Sequence, residues 1–196
     1  MQYMDEIILE QMHQQKKQKY SNIHNGPVYI IDDFFNFSDV FLFEKRLQIK
    51  LPSDFADMPE EFAKIKYPME QRPQVIKTNL NTTVNFAFNL FETALETNHI
   101  EVAVHDFKNV VKNMHPTSRI FGMQAKDMHN STLGWFDFSI SGLDQPIYTL
   151  VAVAVIDNKM LHAIFNCLLQ DMEDWKPIVL QVFRSIQDLS KGKANR

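Results

Sequence analysis

The ten residues from Ile147 to Ile156, IYTLVAVAVI, settle the architecture of this chain. Six of the ten are valine, isoleucine or threonine, and β-branched side chains favour extended backbone. Side chains along a strand point alternately to opposite faces. Here both alternating sets are apolar, so the strand is dry on both sides and demands one layer above it and one below.

Turns flank this strand. Asp157-Asn158 leads into Lys159 to Leu169, and Gly142 to Pro146 connects back to Phe136, Phe138 and Ile140, which alternate with Asp137, Ser139 and Ser141. Short connections between consecutive strands make an antiparallel meander. Upstream, Ile100, Ala103, Val104, Phe107, Val110, Val111 and Met114 recur at helical spacing until His115-Pro116 ends the helix. Downstream, Trp175, Ile178, Val179, Val182, Phe183, Ile186 and Leu189 form a second apolar stripe, with Pro177 tolerated in its first turns.

Two hairpins come earlier. Gln74 to Thr78 answers Val84 to Phe91 across the polar segment Asn79 to Thr83, with Val84, Phe86, Phe88 and Leu90 on one face and Asn85, Ala87 and Asn89 on the other. Val40 and Leu42 answer Leu47, Ile49 and Leu51, a pair with one wet face that Pro52 ends. Met58 to Ile65 suits a short helix begun at Pro59. Val28 to Phe37 suits a strand or a helical turn equally. Met1 to Lys19 lacks Gly and Pro and carries Met4, Ile7, Ile8 and Met12 at helical spacing, before a loop over Ser21 to Pro27.

The expected fold is therefore α+β: an antiparallel sheet of about six or seven strands, flanked by helices on both faces, with an extra N-terminal helix. Residues 1–37 read as a helical extension and linker, and residues 38–196 as the domain. At 196 residues, one domain is the natural count.

Charge excludes some functions. Twenty Lys and Arg against 24 Asp and Glu give a net charge of −4, with no basic stripe, which disfavours nucleic acid. Lys16, Lys17 and Lys19 form the only local basic run, too few to hold a polyanion. Cys167 is the single cysteine, so no intramolecular disulfide and no Cys-x-x-Cys motif exists, and its apolar neighbours place it in the core. Met1 to Glu10 carries Asp5, Glu6 and Glu10 rather than a secretory pattern, and the longest apolar run is far short of the roughly 20 residues of a membrane span. No membrane span and a cytoplasmic location are expected.

Catalytic signatures are absent as well. Gly26, Gly122, Gly134, Gly142 and Gly192 are too scattered for a phosphate-cradling loop. His99, Glu101 and His105 share a helix, but spacing fixes no third metal ligand among them. His162 alternates with apolar residues and reads as a packed side chain, and no nucleophile elbow occurs. Asp32-Asp33 and Asp171, Glu173 and Asp174 read as turn and helix-start residues. The expectation is a chain that is not an enzyme and uses no cofactor and no metal.

The most individual stretch is Lys66-Tyr67-Pro68 followed by Arg72-Pro73. Its prolines fix an extended crossing before a strand. Tyr67 and Arg72 suit a recognition edge, being residue types enriched where partners bind; alternatively, Arg72 pairs with Glu70 or Glu61 and pins the crossing. With Trp135 and Asp137, these two residues make the candidate binding set.

The succession of Leu51-Pro52, Phe55 to Met58-Pro59, Tyr67-Pro68, Arg72-Pro73, a phenylalanine-rich strand, a helix, a meander and a final helix resembles the PsbP-like superfamily, in particular its DcrB-like bacterial branch, over residues 38–189. The resemblance implies an antiparallel sheet flanked by helices. It also implies members that act by binding proteins: photosystem subunits, a Ran-binding factor, and chaperones of apolar helices in secreted toxins. It brings no active-site residues, and fold alone does not fix function.

The expected function is a non-enzymatic protein-interaction module, in keeping with 16 phenylalanines and 10 methionines. Two alternatives stand beside it: a chaperone or adaptor for apolar helices of a secreted effector, and a small-ligand binder or enzyme with a pocket among Tyr67, Arg72, Trp135 and Asp137. A protein partner is expected, and the N-terminal helix is a candidate device for homo-oligomerisation.

Overall fold

A computed structural model describes residues 2–68, 71–124, 133–142 and 144–190, with side chains in the first helix from Glu6 onward. Glu70, Gly192 and the rest of residues 191–196 fall outside them. Helix α1 (Gln2–Lys19) precedes β1 (Val28–Ile30), β2 (Asp33–Phe35), β3 (Phe37–Leu42), β4 (Leu47–Pro52) and β5 (Ala56–Asp57). Helix α2 (Glu60–Lys66) leads to β6 (Val75–Thr78), β7 (Asn85–Ala94) and α3 (Ile100–Met114). Strands β8 (Arg119–Gln124), β9 (Leu133–Ile140), β10 (Ile147–Ile156) and β11 (Lys159–Leu168) are followed by α4 (Met172–Arg184) and β12 (Gln187–Asp188).

The main sheet has seven antiparallel strands in the order β5-β6-β7-β11-β10-β9-β8. The dry strand β10 lies between β9 and β11, with Val151 opposite both Phe136 and Ile164. Tyr148, Leu150, Ala152 and Ala154 pack on one face with Phe86, Phe88 and Phe165, beneath Trp175, Ile178 and Val182 of α4. Val151 and Val153 pack on the other face with Phe136 and Phe138, against Ile100 and Val104 of α3. Helix α2 adds a smaller cluster on this second face, in which Ala63 meets Ile76 and Ala87. Full burial of a Val, Ile or Phe side chain contributes about 1.5–3 kcal/mol, so α3 and α4 are held mainly by their apolar stripes.

The structure departs from the sequence reading at five places. First, β3 and β4 stand outside the main sheet and form a three-stranded sheet of order β12-β4-β3. Its apolar residues Leu47, Ile49 and Leu51 enter the core cluster under α4, which one wet face allows. Second, the final helix stops at Arg184 instead of reaching Leu189. The Ser185 hydroxyl donates to the Val182 carbonyl at 2.6 Å and accepts from Lys50 N–H at 2.9 Å, so the chain leaves the helix and pairs with β4.

Third, β8 extends the meander to four strands; Gly122 and a bulge between Ile120 and Gly122 break the alternation that would have revealed it. Fourth, Val28 to Phe37 contains a hairpin, β1 with β2, whose turn holds Ile31 at φ 58°, a conformation β-branched residues rarely adopt. Fifth, the boundary placed at residue 38 does not separate the core, because Ile23, Val28 and Ile30 are buried in it.

Candidate functional site

Tyr67 follows the last turn of α2, and its hydroxyl donates to Asn166 Oδ1 on β11 at 3.0 Å. Burial pushes the Tyr67 phenol up to about 12. Asn166 belongs to a row of polar residues crossing four strands, in which Thr78 faces Asn85, Asn85 faces Asn166, and Asn166 faces Thr149. Thr78 Oγ1 donates to Asn85 Oδ1 at 2.7 Å, and Asn166 Nδ2 donates to Thr149 Oγ1 at 3.0 Å. These bonds let polar groups occupy a buried sheet face without losing partners. Arg72 turns inward on its own loop, its Nε donating to the Tyr67 carbonyl at 3.1 Å. That bond closes the crossing before β6.

Trp135 and Asp137 lie on the opposite face, opposite Ala152 and Leu150 of β10. The Asp137 side chain is fully buried, and its Oδ2 accepts from the Tyr148 hydroxyl at 2.8 Å and from Lys176 Nζ of α4 at 2.5 Å. Burial, reinforced by the bond to this carboxylate, raises the Tyr148 pKa well above its ordinary value. Lys176 Nζ also sits 5.6 Å over the Trp135 ring, within cation–π range, while Trp135 Nε1 donates to Gln124 Oε1 at 3.2 Å. Glycine at position 122 gives Asp137 its space, since a Cβ there would stand 3.2 Å from Oδ1.

The four residues singled out from the sequence thus form two pairs, and the sheet separates them. Tyr67 with Arg72 fixes a loop over the α2 and α3 face. Trp135 with Asp137 fixes α4 on the other. No single pocket gathers all four. Sequence reasoning missed Lys176, Tyr148 and Asn166, because each meets its partner across strands or between layers and leaves no local motif.

Other sequence candidates settle into the fold. The His162 ring stacks parallel on Phe107, centroids 4.3 Å apart, and burial lowers its pKa to about 4. Cys167 is buried, and burial raises its thiol pKa above the ordinary range, so no thiolate is presented. Among the described residues, no three His, Cys, Asp or Glu side chains converge as metal ligands. No described helix is long and apolar enough to cross a membrane.

Among the described residues, the surface carries a cleft and an exposed apolar pair. A cleft of about 390 Å³ is lined by Glu44, Lys45, Arg46, Asp157, Leu189 and Ser190, where the β3–β4 and β10–β11 turns meet the chain after β12. Glu44, Lys45 and Asp157 hold positive φ there, the price of tight turns without glycine. The second feature is apolar. Phe62 and Ile65, three residues apart on α2 and so on one side of it, are 43% and 75% exposed. Lys66 Nζ bonds the Thr82 carbonyl and holds this helix beside the β6–β7 turn, which carries the fully exposed Leu80.

No protein-family model matches the chain, and no curated protein matches it. Solved structures do. The Ran-binding protein Mog1p of Saccharomyces cerevisiae superposes with TM-score 0.51 at 11% identity, over 81% of this chain and 98% of Mog1p. Cyanobacterial PsbP (CyanoP) from Synechocystis sp. PCC 6803 superposes with TM-score 0.57 at 10% identity, over 78% of this chain and 92% of CyanoP. At such identities the likeness is one of architecture, and the architecture this chain has is the PsbP-like fold.

Proposed function

We propose that this protein is a non-enzymatic interaction module whose α2 face docks a protein partner. The observation that carries the reading is the outward pair Phe62 and Ile65, left open to water on a helix that Lys66 ties to the turn carrying the exposed Leu80. Apolar side chains grouped on a surface mark interaction sites more often than single ones do. The polar groups nearby serve structure: Tyr67 and Arg72 spend their hydrogen bonds on Asn166 and on the loop itself. Mog1p, which shares the fold, is a Ran-binding protein, and this supports a binding role for the same architecture.

Phe62→Asp and Ile65→Asp test the reading. Both side chains are exposed, so melting temperature should stay within a degree or two of the parent while binding of the cellular partner falls at least tenfold. Equal capture by parent and variants would remove α2 from the docking role. The narrower reading, a chaperone of apolar effector helices, adds one expectation: isolated apolar helical peptides bind the parent and not Ile65→Asp. A small molecule that raises the melting temperature in a broad panel would favour the ligand-binding or enzymatic alternative.

A further inference from the structure

Helix α1 is fixed at its end and latched along its second half. The fixed end is the loop that follows it. Tyr29 N–H donates to the Tyr20 carbonyl at 2.8 Å, and Gln181 of α4 donates from Nε2 to the Ser21 carbonyl at 2.8 Å. The same Gln181 accepts from Ile23 N–H at 3.3 Å, and the Ile23 side chain is buried in the core. The latch itself is polar. Lys17 Nζ pairs with Asp174 Oδ1 of α4 at 2.5 Å, and Lys16 Nζ sits 5.3 Å over the Tyr29 ring. The His13 ring meets the Tyr29 ring edge-on, with Nδ1 3.2 Å from the Tyr29 hydroxyl and 3.7 Å from Asp32 Oδ1. Between Glu6 and Lys19, only His13 and Lys17 are even half-buried. Glu6 and Glu10 fall on the same side of the helix, at about 100° of rotation per residue, yet both are exposed.

The strength of these contacts decides what α1 can do. Ile7, Ile8, Leu9 and Met12 are all exposed, so apolar burial contributes little to holding the helix. A half-exposed ion pair and a cation–π contact each shift an equilibrium by only about two- to fivefold. An isolated helix of this length is marginal in water. The attachment is therefore weak beside the core of α4 and the sheet, and it rests on charge. Burial, then the charges of Asp32, Asp174 and Asp33, raise the Tyr29 pKa, so all three acids lie within electrostatic reach of the ring that His13 and Lys16 cover. We propose that α1 is a strap held shut by charge: it pivots on the loop fixed by Gln181, and weakening the Lys17–Asp174 latch swings it clear and bares Tyr29. In the closed form Tyr29 is only 7% exposed, and the opened surface sets its ring among three carboxylates. The strap shares no residue with the α2 docking face and stands or falls separately.

Hydrogen–deuterium exchange of the full chain tests the strap, with the amides of residues 13–19 compared with those of β10. Between about 20 and about 500 mM NaCl the screening length falls from roughly 20 to roughly 4 Å. The expected result is that the α1 amides exchange at least fivefold faster at high salt while those of β10 do not change. Lys17→Glu should reproduce the acceleration at low salt with the melting temperature unchanged, and adding Asp174→Lys should restore most of the protection. The salt series uses the unmodified chain and so reads the latch whatever the stability of the variants. Protection of α1 that neither salt nor Lys17→Glu alters would overturn the proposal by placing the attachment elsewhere. Acceleration of β10 together with α1 would overturn it by making the helix part of the core, as would a reversed pair that keeps the parent melting temperature but leaves α1 unprotected, by removing Lys17–Asp174 from the latch.

Discussion

Lys176 of α4 reaches the fully buried carboxylate of Asp137 on β9, its Nζ 2.5 Å from Oδ2. The contact joins the covering helix to the sheet. It also neutralises a charge that has one other donor, Tyr148. Replacing Lys176 by Met should destabilise the protein by about 3 kcal/mol, because removing one member of a buried pair strands the other. Adding Asp137→Leu to Lys176→Met should recover much of that loss, since an apolar pair has no charge to desolvate. Urea denaturation of the parent, the single variant and the double variant checks both steps.

Acid should weaken the fold through His162. Its pKa in the folded protein is about 4, against an ordinary value of 6.5. Between those values the unfolded chain binds the proton and the folded chain does not. The contribution is therefore fully present above pH 6.5 and is lost as pH falls toward 4. Between pH 7 and pH 5 the loss is about 2 kcal/mol. His162→Phe should flatten this part of the stability–pH curve, measured by denaturant midpoints at the two pH values.

Close packing of α3 on the sheet depends on Gly134. A Cβ at that position would stand 2.7 Å from Val104 Cγ2 and 2.8 Å from Ile100 Cγ2. Both neighbours are β-branched and held on a helix, so they cannot swing aside. Gly134→Ala should cost about 1–3 kcal/mol through overpacking. Adding Val104→Ala should restore part of it, as a thermal melting series would show.

What could be read from the sequence follows from how local each signal is. Strand β10 declared itself because ten consecutive residues carry its pattern, and α3 because its stripe is uninterrupted from Ile100 to Met114. Strand β8 did not, because Gly122 and the bulge beside it break a six-residue alternation. The end of α4 was hidden for a different reason: Ile186 and Leu189 keep helical spacing, yet Ser185 redirects the backbone to β4. Tyr67 and Arg72 were visible through the prolines around them, and Trp135 and Asp137 through strand alternation. Their separation by the sheet was not, since the face each one takes depends on pairings between distant segments.

Photocross-linking in living cells probes the docking of a protein through the outward side of α2. A photoreactive amino acid in place of Ile65 should give a discrete protein adduct that disappears when Phe62→Asp is added, while the same group in place of the remote Glu44 gives none. An Ile65 probe yielding no adduct beyond that seen at Glu44 would contradict the claim.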